Sequence, residues 1–200
     1  MAAGKVCTGF SKPYVALYNN NAGTITYTNG MQLARGVSVS ASADSADDNN
    51  FYADNIIAES ETGVFTSGEL TLTVDGLMQA AEKLIMGLPA EDAQGFMNYD
   101  DDQRVPDCGC GFIARYMSDG VTTYTPVIFT RVAFQFPGID AATQEENIDW
   151  QTRDLTATVK RAEDTKRTWR KIGGDETTEA AAEDKIKAFL GITQNQNQNP

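Results

Sequence analysis

The sequence predicts a mainly β, antiparallel fold, a β-sandwich or barrel with one α-helix packed on it and a second helix near the C-terminus. Three observations carry that prediction. Two windows alternate apolar and polar residues without a fault. An Asp-Gly pair joins two segments rich in aromatics and Thr. Apolar residues recur at helical spacing in two stretches. A chain of 200 residues, 41% hydrophobic and 22% charged, is long enough to bury a core.

In chain order, residues 12–18 and 23–28 are rich in Tyr, Thr and Val and predict a hairpin turning at Asn19-Asn20-Asn21. In 37–43, Val37, Val39, Ala41 and Ala43 alternate with Ser38, Ser40 and Ser42. In 69–75, Leu70, Leu72 and Val74 alternate with Glu69, Thr71, Thr73 and Asp75. Period two over such lengths predicts half-buried strands. A helix follows, with Asp75 as N-cap and a stripe of Leu77, Ala81, Leu84, Ile85 and Leu88; Gly87 and Pro89 end it.

The clearest hairpin runs from Phe112–Ser118 through Asp119-Gly120 to Val121–Phe136. Asp-Gly supplies the left-handed backbone that a two-residue turn needs. Pro126 lacks an N–H and predicts an edge position or a bulge. A strand over Asn147–Val159 holds Trp150, Leu155, Ala157 and Val159. The second helix spans Thr178–Leu190, with Ala182, Ile186, Phe189 and Leu190 in its stripe and a Glu183–Lys187 pair. The closing GITQNQNQNP is polar, of low complexity, and expected to be disordered.

Charge and composition narrow the function. Asp plus Glu number 28 against 16 Lys plus Arg, a formal charge of −12. A protein that grips nucleic acid by neutralising phosphates needs the opposite balance. His is absent, which removes His-based triads and the common zinc signatures. No phosphate-binding glycine loop, dinucleotide fingerprint or nucleophile elbow occurs, so neither an enzyme nor a cofactor is expected. No apolar run is long enough to span a membrane, the start lacks a secretory pattern, and three cysteines suit a reducing cytoplasm. Cys108-Gly109-Cys110 reads as small residues in a Gly-rich turn, and Asp100-Asp101-Asp102 as a solvated acidic turn. The aromatics of 112–136 could stack on sugars or bases, yet their strand spacing favours a core.

The charges are segregated. Between Gly36 and Glu82 stand nine acidic residues and no basic one; between Lys160 and Lys171 stand six basic residues against Glu163 and Asp164. Two such segments suit complementary faces that meet between copies. The acidic stretch 44–61 is expected to be a flexible loop, too long and polar for a tight hairpin, that orders on a neighbouring subunit with Phe51 and Tyr52 as apolar anchors.

The order of these pieces carries a resemblance. Val37-Ser38-Val39-Ser40 precedes an acidic loop and then Phe51-Tyr52-Ala53-Asp54-Asn55. The alternating strand Leu70–Val74 runs into Asp75-Gly76-Leu77, and an aromatic strand Val127–Phe136 leads to Asn147–Val159. Over about residues 5–172 this resembles the major tail proteins of long, non-contractile-tailed bacteriophages, the phi13-type family in particular. The resemblance implies a tail-tube domain at 1–172, a two-sheet β-sandwich with a flanking helix, and leaves 173–200 as a C-terminal extension. It implies a structural virion protein with no enzymatic activity, assembled in the host bacterial cytoplasm. Copies would form six-membered rings stacked into a hollow tube, meeting tip, terminator and tape-measure proteins. DNA would pass through without specific binding.

In that setting Phe51, Tyr52, Lys160, Arg161, Lys166 and Arg167 are candidates for inter-subunit contact, and Asp44, Asp47, Asp48 and Asp54 for an acidic loop or lumen. A lumen lined with carboxylates repels phosphates and keeps a genome from adhering. The competing reading is a β-sandwich recognition module, a carbohydrate-binding or adhesin domain. It calls for aromatics exposed on a flat sheet face and a stable monomer.

Overall fold

The computed structural model describes residues 4–139, 141–143 and 150–192. Its elements are β1 (Val6–Asn21), β2 (Thr24–Gln32), β3 (Gly36–Ser45), β4 (Asn49–Ala53), β5 (Ile56–Glu61), β6 (Phe65–Val74), α1 (Gln79–Met86), β7 (Cys108–Ser118), β8 (Val121–Phe134), β9 (Arg153–Val159), β10 (Arg170–Ile172) and α2 (Glu179–Phe189). The fold is mainly β, and every strand pair is antiparallel. One hydrogen-bonded path runs β2-β1-β7-β8-β9-β6-β3, with β10 beside β8; β4 and β5 pair with each other. The far end of this path curls back, because a Cβ placed on Gly36 at the start of β3 would lie 2.1 Å from the Phe10 ring in β1. Of the two architectures the sequence left open, one rolled sheet forms in place of two separate ones.

Two cores result, one on each face. Inside the roll, Leu70, Leu72 and Val74 of β6 meet Leu155, Ala157 and Val159 of β9, Phe112 of β7 and Phe129 of β8; α1 adds Ala81, Ile85 and Met86. On the outside, α2 sets Ala182, Ile186 and Leu190 on Tyr14, Ile113 and Ile128. β1 and β8 over their middles, and β7 over Cys108–Ala114, are thus buried on both faces, which is why they lack clean alternation.

The predicted Asp119-Gly120 turn forms, with φ of 48° and 79°. Thr178 caps α2 by accepting from the Ala181 N–H at 3.2 Å. Other expectations are corrected. The β1–β2 turn falls on Ala22-Gly23 (φ 51° and 87°), and Asn19-Asn20-Asn21 continue the strand. Between β1 and β2, Ala22-Gly23 and not the three Asn supply the paired left-handed residues of a two-residue hairpin. Asp75 does not cap α1: its carboxylate accepts from the Arg35 N–H at 3.0 Å and pairs with the Arg35 guanidinium. The helix starts at Gln79 behind Met78, without a side-chain cap.

Pro126 pairs in register with Ile113 of β7. On its other side it lies where β10 has ended, between the Val127–Ile172 and Tyr124–Glu176 pairs. Two residues of β8 there face three of the neighbouring strand, so the predicted bulge is there, on the neighbour's side. The Pro126 carbonyl accepts from Gly173 N–H at 2.8 Å. The nitrogen faces the same way, so the missing donor lies toward the short β10 end and not toward β7. β3 has its predicted alternation but is exposed on both faces beyond Val39, because it ends the sheet. Trp150 is exposed and precedes β9 rather than joining it. Asn147–Asp149 of the predicted strand, and 193–200 of the tail, lie outside the described residues. No helix among the described residues is long and apolar enough to cross a membrane.

Candidate assembly surface

The acidic segment is a hairpin arm, which corrects the expectation of a loop. Beyond the last β3–β6 pair, Ser45 with Phe65, the Ala46 N–H donates to the Val64 carbonyl at 2.8 Å. β4 and β5 then pair from Asn49–Glu61 to Ala53–Ile56. Asp54 and Asn55 close the tip with φ of 50° and 60°, both left-handed, a geometry that Asp and Asn tolerate better than most residues. A bulge skips Ala58, so Tyr52 faces Ile57 and Phe51 faces Glu59.

The arm has no core of its own. Phe51, Tyr52, Ile56 and Ile57 are between 52% and 66% exposed. The last two were missed by sequence reasoning, although Phe-Tyr-Ala and Ile-Ile-Ala flanking Asp-Asn is a hairpin pattern. A bare two-stranded ribbon is marginal in water, and clustered exposed apolar groups mark a surface that gets covered. Asp47, Asp48, Asp54, Glu59 and Glu61 lie along the arm with no Lys or Arg among them and no ion pair among the described residues. Asp44 sits lower, on the β3 stem, where its carbonyl accepts from Thr66 and its carboxylate from Ser67.

The basic run divides in two. Lys160 binds Asp107 at 2.9 Å, inside a cluster where Arg131 bridges Asp107 and Glu163 at 2.6 Å each. Arg161 donates to the Phe65 carbonyl and lies 5.8 Å from the Phe65 ring. These two cations are engaged within the chain. Lys166 and Arg167 stand on an exposed turn, and the next two cations lean on rings: Arg170 on Trp169 at 4.5 Å, Lys171 on Phe189 at 5.1 Å. None of these four forms an ion pair among the described residues. Asp164 shares the turn, but the Thr168 N–H and hydroxyl occupy its carboxylate at 2.9 and 3.0 Å. Partial burial pushes the Asp164 pKa up, yet these bonds outweigh it and hold the group below the usual carboxylate range.

The remaining polar clusters serve the fold. Glu82 accepts from the Tyr99 hydroxyl at 2.8 Å and from Arg153 at 3.2 Å, joining α1 to the segment before β7 and to β9. Cys108 and Cys110 lie in β7, not in a turn, and burial pushes both thiols up to about 12, far from thiolate chemistry at neutral pH. Among the described residues no three His, Cys, Asp or Glu side chains gather as a metal site. In the aromatic hairpin, Phe112, Phe129 and Phe134 point into the roll; Phe136, beyond the strand, is exposed. No protein-family model matches this sequence, and no curated protein matches it.

Proposed function

We propose that this chain is a self-assembling tube subunit, a major tail-tube protein of a long, non-contractile-tailed bacteriophage, whose rings stack around a channel for DNA. The observation that carries the reading is the arm. Four large apolar side chains on an uncovered ribbon, beside five carboxylates that form no ion pair among the described residues, suit a segment completed by another copy. Two further features support it. The path of strands ends in β2 and β3, each with one edge that pairs with no strand among the described residues and on which another sheet can continue. The strong negative charge suits a conduit that must not hold phosphates. The recognition-module reading draws less support, because most of its candidate platform fills the interior.

Phe51→Ala with Tyr52→Ala tests the reading without touching either core. The double variant is expected to keep the wild-type thermal transition and to sediment as a monomer where the wild type forms large species. Sedimentation of the variant like the wild type would remove the arm from the interface.

A further inference from the structure

The arm needs a seat, and the surface offers one whose chemistry is its complement. A groove of about 540 Å³ opens between β2 and the end of α2, a volume typical of binding clefts. Tyr27 and Phe189 form its floor, their ring centroids 5.2 Å apart. Asp164 and Lys171 line it, and the exposed turn that follows Asp164 carries Lys166 and Arg167 beside it. The floor is aromatic, Lys166 and Arg167 form no ion pair among the described residues, and Asp164, the one carboxylate in the lining, is already held by Thr168.

Resting on the assembly reading above, we infer that this groove receives the arm of a second copy of the chain. Tyr52 and Ile57, which face each other across the ribbon, enter over Tyr27 and Phe189. Asp54 and Glu59 meet Lys166 and Arg167. Apolar anchors with a ring of opposite charge give both affinity and register. One arm and one groove per copy make a head-to-tail contact, which closes into a ring or continues as a stack according to the rotation it imposes.

Two chains with a single exposed cysteine test the seat, both carrying Cys7→Ser and differing in mass. One has Asn55→Cys at the arm tip and the other Thr165→Cys at the groove rim; Cys108 and Cys110 stay buried. After mixing and mild oxidation, mass spectrometry is expected to find the mixed disulfide well above its statistical share. Lys166→Glu with Arg167→Glu in the rim chain should cut that yield about tenfold, and Asp54→Lys with Glu59→Lys in the tip chain should restore it. A statistical distribution of disulfides, while the wild type still forms large species, would overturn the groove and leave the assembly reading standing. The same distribution with a wild type that stays monomeric would overturn both.

Discussion

Single residues settle what the Cys-Gly-Cys-Gly stretch is for. With alternate residues on opposite faces of β7, Cys108 and Cys110 point into the roll while Gly109 and Gly111 point out beneath α2. A Cβ on Gly111 would lie 2.7 Å from Ile186, and one on Gly109 2.5 Å from Tyr27 and 2.9 Å from Leu190. The glycines are there so that a helix can come close. Sequence alone read a turn, because nothing local says that a helix 75 residues later will lie on this strand.

Glu183 has a similar fixing role. It accepts from Tyr14 at 2.6 Å and pairs with Lys187 at 2.5 Å and with Lys12. Burial works to raise its pKa, but Lys12, Lys187 and Tyr14 together lower it from 4.5 to about 2. A carboxylate depressed on folding stabilises the folded state above its unfolded pKa, and that contribution fades as pH falls from about 4.5 toward 2. Urea denaturation over this window is expected to show a shallower acid limb for Glu183→Gln, with a loss of at most about 3 kcal/mol near neutral pH. Parallel acid limbs for the two proteins would contradict this role.

At the scale of elements, legibility tracked local signals. β6, the Asp119-Gly120 hairpin and α2 follow from alternation, turn chemistry and capping carried within a few residues. The arm was misread because its polar, acidic composition outweighed a short strand pattern. β3 was misread in burial, because alternation says which residues share a face but not whether anything covers it. The arm's shape depends on its turn: Asn55 has φ of 60°, which proline, fixed near −65°, cannot adopt. Asn55→Pro should therefore open the tip while leaving the thermal transition of the rolled sheet within about 0.5 kcal/mol of wild type. Assembly followed by light scattering should fall with it. Undiminished assembly would show that the hairpin form of the arm is not what a neighbour recognises.

Across the whole molecule, the sequence bounded the class but not the path. Pairings such as β9 with β6 and β7 with β1 join strands about 80 to 110 residues apart, and no local pattern encodes which distant strands meet. The charge segregation was legible; its division into cations engaged within the chain and cations left on the surface needed three dimensions. Both surface features, the apolar acidic arm and the basic aromatic groove, remain uncovered in one copy and are complementary between copies. Copies of the chain should therefore associate. Negative-stain electron microscopy of the purified chain over a concentration series, with light scattering for mass, reads this out. Rings or tubes with a central channel, growing in with concentration, are the predicted result. A species of 21.7 kDa at every concentration would contradict it.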